Sequence, residues 1–529
     1  MNRLRFALPL LLLPATAVLA DSFERDDALK LPNVVISANR QVQARNDSSA
    51  ANSVFTRDDI DRLQPTSVSD LLSRVPGVQV AQSGGRGSVT NVYVRGTSTA
   101  QSLVLVDGQR ISSSTTGTSN LQYLNIDQIE RVEVLRGSRS AIYGSDAIGG
   151  VIQIFTRRNT ESGLQPRLHV GFGSNQTWER NLGLSGGDQQ TRFSLGASLD
   201  DTAGINRTRT SYPSDGDHDA YRNQAISFSL SHAFTDEIDA GVNVLDNRGK
   251  SEFDNPFGRY DSLNYQSFQQ QPYTDFTVSS VSSYVDARLN DAWKSRLELG
   301  HSENREKTLD KLSDDRSVFN TYRDSLTWQN DLTLNDQNSL ILGGDWYEDR
   351  VNSSTVLAED SRWNRAAFIQ HRFETQYFST ELGLRRDQNQ QFGGHTSWSG
   401  TLTLPVNPDN DLLFSYSEGF RAPTFNDLYY PDEYGFKNAN PNLKPETSKS
   451  YELQWRSQLS DTSRLEASLY RTDIQDAIVF GSDGPQNVSS ARINGFEAAL
   501  KQELFGWQGS LGLAMIDPVS YTHLRAHET

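Results

Sequence analysis

From about residue 160 onward, apolar residues recur at every second position. Leu168, Val170 and Phe172 form one such run, and Phe193, Leu195, Ala197 and Leu199 another; Ile226, Phe228 and Leu230 repeat it. The pattern returns at Leu412, Phe414 and Tyr416, at Leu465, Ala467 and Leu469, and at Leu511, Leu513 and Met515. The residues between them are polar or small, Leu413 excepted. A period of two puts one apolar and one polar face on each strand. Two architectures accept such strands: a large antiparallel sandwich or solenoid in water, or a transmembrane barrel with lipid outside and water inside. The chain offers no second apolar layer to cover a sandwich, and closure into a barrel removes exposed strand edges. The pattern therefore predicts an all-β transmembrane antiparallel barrel over 158–517.

Residues 45–157 read differently. "TRDDIDRL" opens on Thr56, a good N-cap, with Asp59 three places on, and "SVSDLLSRVPG" is a short amphipathic helix stopped by Pro76 and Gly77. Short strands follow in "VTNVYVRG", "SLVLVDGQRI", "IERVEVLRG" and "GGVIQIFT". This segment predicts a compact mixed α/β domain. A globular domain ahead of a barrel in turn predicts a plug seated in the lumen.

Composition narrows the reading. Past residue 20 there is no run of about 18 apolar residues, which excludes a helical membrane protein. Residues 1–20, "MNRLRFALPLLLLPATAVLA", carry Arg3 and Arg5 ahead of an apolar core and end in small residues, the pattern of a signal peptide. Residues 21–44 then form an N-terminal segment on the far side of the inner membrane. With no cysteine, an exported chain has no disulfide framework, thiolate metal site or cysteine nucleophile. A formal charge of -16 argues against nucleic acid as a partner. The 24 Phe and 19 Tyr cluster at strand ends, as interfacial girdles do. Neither a nucleophile elbow nor a metal triad points to an enzyme.

Three segments carry candidate chemistry. In "LPNVVISANR" (31–40), Val34, Val35 and Ile36 are β-prone and lie between Pro32 and Asn39. Such a stretch can lend its backbone to another protein's sheet edge, or form the first strand of the domain that follows. "AQSGGRGSVTN" (81–91) and "SSSTTGTSNLQ" (112–122) are Gly, Ser and Thr rich: ordinary turns, or loop tips that let a large ligand approach the backbone. "SYPSDGDHDAYRN" (211–223) spaces Asp215, Asp217 and Asp219 two apart, and the next long loop holds Asp254 and Asp261. Ala220 and Ile226 stand where an EF-hand needs glycine and glutamate, so that motif is excluded. The loops are then either solvated or joint oxygen donors to a hard cation.

The motifs together resemble those of TonB-dependent outer-membrane receptors, and within that family the cobalamin (vitamin B12) transporters. "LPNVVISANR" is similar to the TonB box; "VPGVQV" and "RVEVLRGSRSAIYGSDAIGGVIQI" (131–154) resemble plug segments; "EGFRAPTFNDLYYP" and "NPNLKPETSKSYELQW" resemble barrel segments. The likeness spans 31–517. It implies a monomer in the outer membrane, in contact with membrane lipid and lipopolysaccharide. Val34, Val35, Ile36, Ser37 and Ala38 would meet TonB, which ExbB and ExbD energise. Cobalamin is the implied ligand, with Val89, Asn91, Ser98, Thr116 and Gly117 as contacts. Calcium is the implied loop-ordering cofactor, held by Asn206, Asp215, Asp217, Asp219, Asp254 and Asp261. A ferric siderophore, haem or another chelate is the alternative ligand.

The last residues break every earlier pattern. Ser520 to Glu528 matches, in frame, the translation of a transposon-type sequencing adapter, so 518–529 is read as adapter read-through from a gene that continued. Plugged barrels of this class close with about 22 strands. At roughly 20 residues per strand and loop, 160–517 allows about 16 to 18. The expectation is that the chain as written lacks its closing strands and does not insert or transport.

Overall fold

The computed structural model describes residues 35–36, 43–44, 48–158, 162–208, 217–255, 259–261, 266–432 and 435–520. Residues 1–34, which include the expected signal peptide, lie outside them. Val35–Ile36 pairs antiparallel with Gln43–Ala44; Val34, Ser37 and Ala38 are outside the described residues.

The plug is built on a five-stranded sheet in the order Asn52–Phe55, Ile129–Arg136, Gly150–Thr156, Ser102–Val106, Gln109–Arg110. Ser102–Val106 runs parallel to Gly150–Thr156, and the other pairs are antiparallel. Val78–Gln82 and Thr90–Val94 form a separate hairpin. Thr56 caps the helix Arg57–Leu63 through a full capping box with Asp59, and Ser67 caps Val68–Leu72. Ile60, Leu71 and Leu72 on these helices pack with Val92, Val104, Val134 and Ile152 of the strands in one buried core.

The barrel wall is a single antiparallel sheet of 17 strands, from Gln165–Gly173 to Trp507–Ser520, each strand paired with the next in sequence. The last strand includes Pro518 to Ser520, with Ser520 opposite Ala491. Among the described residues the first and last strands are not paired with each other. Long connections, at 203–220, 253–271 and 422–445, collect at one end; turns as short as Ala292 with Asp291 or Phe505 with Gly506 lie at the other.

The faces of this sheet are inverted relative to a soluble protein. Leu168, Phe172, Leu195, Ile226, Leu469 and Met515 are exposed, whereas Ser194, Asn223, Ser227, Asn243, Asn247 and Ser251 are buried. The apolar set points outward and the polar set packs against the plug. Water cannot favour that arrangement, since the exposed face would cost the transfer free energy that burial normally returns. Lipid can.

Candidate ligand-binding face and plug anchors

Two plug loops reach toward the long-loop end, and the barrel holds both. In the first, Gly87 (φ +75°) leaves room for the Tyr221 ring: a Cβ there would lie 2.2 Å from Tyr221 Cδ2. Ser251 Oγ donates to Gly87 O at 2.9 Å, Arg207 Nη2 donates to Arg86 O at 3.1 Å, and Arg86 pairs with Glu179. Tyr221 and Ser251 stand at the bases of the two acidic loops, so this plug loop and those loops share one support. The glycine at 87 therefore serves the barrel's approach. Tyr123 of the plug stacks on Phe276 of the wall at 3.8 Å between centroids, and Tyr221 lies 5.9 Å from the same ring.

The second loop, 112–118, is clasped by the helix Phe425–Tyr429. Thr424 and Asp427 form its capping box. The first two helical amides, of Phe425 and Asn426, have no partner within the helix and donate instead to Ser114 O (3.1 Å) and Thr115 O (3.2 Å) of the plug. Gly117 (φ +73°) turns the tip, where a Cβ would stand 2.8 Å from Ala100 Cβ.

The expected ligand contacts fall in two groups. Ser98 and Thr116 are exposed, and Gly117 packs on Ala100, two residues from Ser98, so these three share one neighbourhood. Val89, 62% exposed, and half-buried Asn91 lie on the hairpin that carries the first loop. Asn91, Ser98 and Thr116 are thus polar and Val89 apolar, and the barrel holds the backbones of the loops next to Val89 and at Thr116 and Gly117.

The acidic loops are only partly described. Asp215 lies outside the described residues, and of Asp261 only the backbone, in the strand Arg259–Asp261, is described. Asp219 is buried, accepts the Arg207 amide at 3.0 Å and faces Arg207 Nε at 3.7 Å. Burial lowers the affinity of the Arg207 guanidinium for its proton, against the pull of Asp219 and Asp254. Asp217 is half-buried, and the Asn206 Oδ1 accepts the Thr208 amide at 2.9 Å. Among the described residues, both carboxylate oxygens of Asp254 are buried with no hydrogen-bond partner. An all-oxygen donor set with an orphaned buried carboxylate fits a hard cation of calcium's class. Among the described residues, however, no three acidic or histidine side chains converge as a metal cluster.

The anchors beneath this face were not singled out by sequence reasoning. Arg95 Nη2 lies 2.7 Å from Glu452 and 3.1 Å from Glu497, while Arg136 Nη1 lies 2.9 Å from Glu497, all nearly excluded from solvent. Burial alone would lower Arg95, yet the two carboxylates hold it above its ordinary value. Arg139 is lowered by desolvation, against the pull of nearby Glu381 and Glu452, and its Nε is unpartnered among the described residues. Arg456 Nη1 and Nη2 donate to Ser48 O and Ala50 O at the plug's start. The available signal was an Arg-Gly pair ending each of two plug strands, at Arg95-Gly96 and Arg136-Gly137.

A polar-lined wall, an apolar outer face and a plug held by ion pairs define a plugged membrane receptor. The chain belongs to the TonB-dependent receptors: residues 44–151 match the TonB-dependent Receptor Plug Domain, and residues 164–529 match TonB dependent receptor-like, beta-barrel. These are outer-membrane proteins, so the outward apolar face meets lipid. Among relatives, the Vitamin B12 transporter BtuB of Vibrio vulnificus is 31% identical over 514 residues, covering 93% of this chain and 78% of the relative. That of Photobacterium profundum is 31% identical over 508 residues, covering 93% and 79%. Among solved structures, the siderophore receptor PirA from Acinetobacter baumannii superposes with a TM-score of 0.73 at 21% identity, covering 88% of this chain and 80% of that one. The ferric enterobactin receptor PfeA gives 0.73 at 20%, covering 89% and 81%. These structural likenesses establish the fold.

Proposed function

We propose that this receptor takes up cobalamin across the outer membrane by TonB-coupled transport. The observation that carries the reading is the 31% identity to vitamin B12 transporters across 93% of the chain. The paired acidic loops support it. In this reading Val89, Asn91, Ser98, Thr116 and Gly117 contact the corrinoid from the two barrel-braced plug loops. Asp217 and Asp254, with Asn206, Asp215, Asp219 and Asp261, hold calcium, which when bound supplies the positive charge that lets the acidic loops stand together. Arg207 already meets part of that need at Asp219. The segment Val34, Val35, Ile36, Ser37 and Ala38 offers TonB a backbone edge, and ExbB and ExbD deliver the inner membrane's energy through it. The buried Arg95, Arg136 and Glu497 set is what that pull must loosen.

The test is cyanocobalamin binding with and without calcium. Saturable binding that calcium strengthens, and that Asp217→Ala and Asp254→Ala each weaken about tenfold or more, is expected. A folded barrel that ignores corrinoid but retains a ferric siderophore would replace cobalamin with an iron chelate as the ligand.

A further inference from the structure

Between the plug and the wall strands Gly393–Asn407, Asn410–Arg421, Glu446–Ser460 and Ser463–Gly481 lies a largely enclosed cavity of about 20 Å³. That is room for one water molecule or one monatomic ion, and for nothing larger. Its charged lining consists of three plug guanidinium groups, Arg95, Arg136 and Arg139, and one wall carboxylate, Glu452. Ser399 and Ser417, directly opposite one another on adjacent strands, and Tyr470 also line it from the wall.

The positive charge around this cavity is only partly answered. Arg95 pairs with Glu452 and Glu497, and Arg136 pairs with Glu497. Arg139 is 9% exposed and forms no ion pair among the described residues. Of the carboxylates that act on it, Glu452 is held by Arg95, and Glu381 accepts the Ser49 Oγ at 2.8 Å. Arg136 Nε, Arg139 Nε and Tyr470 Oη are also buried without a hydrogen-bond partner among the described residues. All three carry hydrogens to donate, and the two serine hydroxyls can turn to donate as well. A water molecule would bring two more hydrogens and no charge. A halide ion brings acceptor capacity and the negative charge that a buried guanidinium requires.

We infer that this cavity is a binding site for one monatomic anion of the chloride class, held by Arg139 of the plug and by the hydroxyls of Ser399 and Ser417 of the wall. The size of the cavity excludes phosphate, sulfate and carboxylates. The ion is the partner that Arg139 otherwise lacks, and the pairs at Glu497 are complete without it. Because its ligands come from both plug and wall, the site exists only while the plug is seated. The ion therefore strengthens docking and is released when Arg139 moves. This inference rests on the meeting of plug and wall and not on the ligand proposed above.

The test uses the full chain in detergent micelles, crystallised from sodium bromide, because anomalous scattering at its absorption edge distinguishes bromide from water. An anomalous peak in the cavity within hydrogen-bond reach of the Arg139 guanidinium is expected, and Arg139→Gln should lose it. In solution, the denaturant midpoint of a fluorophore on the plug should be higher in chloride than in isethionate at equal ionic strength, since isethionate is too large for the cavity. For Arg139→Gln the two salts should give one midpoint. Where the glutamine variant does not fold, Arg139→Lys replaces it and keeps the charge, with a partial loss of the bromide peak expected. A cavity that holds only water in the bromide crystals overturns the inference, as does a chloride effect of equal size in parent and variant. A bromide peak in a protein whose midpoint is the same in both salts would mark binding at crystal concentration only, and overturns it too.

Discussion

At Glu497 a single carboxylate serves two plug arginines, Arg95 at 3.1 Å and Arg136 at 2.9 Å. Removing charge from one member of a buried set leaves the others desolvated and unpaired, which costs about 3 to 5 kcal/mol. Glu497→Gln is therefore expected to weaken plug docking by that amount, read as a lowered denaturant midpoint for a fluorophore on the plug. Arg95→Ala combined with Glu497→Gln should cost less than the sum of the single changes. Strict additivity in that cycle would mean the two residues do not interact. Polar anchoring suits a plug that must move: the contacts are strong while dry, and water can replace them once a path opens.

Among elements, the short helix Phe425–Tyr429 depends on two partners. Its third amide is satisfied by Thr424 Oγ1, and its first two by plug carbonyls. Five residues make too few intrahelical bonds to hold a helix in isolation. Thr424→Ala should cost about 1 kcal/mol and speed amide exchange at Phe425 to Asp427 and in the plug loop 112–118 together. Faster exchange confined to the helix would separate the clasp from the loop. Such coupling would let an outer barrel loop report to the plug face on which Ser98, Thr116 and Gly117 lie.

For the whole molecule, the inverted faces make lipid the solvent that selects the fold. Leu469 is 55% exposed on the outer wall at the level of Leu453 and Phe496. Leu469→Arg is expected to destabilise the membrane-inserted protein by about 2 to 4 kcal/mol, whereas Leu469→Phe should change it by less than about 1.5 kcal/mol. Urea titration in bilayers measures both. Equal tolerance of the two would mean that this face does not contact the hydrocarbon.

Much of this molecule is legible from residues two to four positions apart. Alternation at Leu465, Ala467 and Leu469 determines which strand face is apolar, and Thr56 with Asp59 determines where a helix starts, because pleat and turn geometry are set by immediate neighbours. The motifs around Arg136 and Pro423 likewise sufficed to assign the family. What only the tertiary structure decided is which polar groups meet across the lumen. Arg95 and Glu497 are separated by 402 positions, and neither carries a local pattern that announces the other. The same holds for Asp219, which the family resemblance groups with Asp217 as a calcium ligand and whose contact with Arg207 only the fold reveals. Local sequence determines backbone geometry because those forces act over a few residues. The pairing of buried charges is decided by which strands the curvature of the sheet around the plug brings within hydrogen-bond reach.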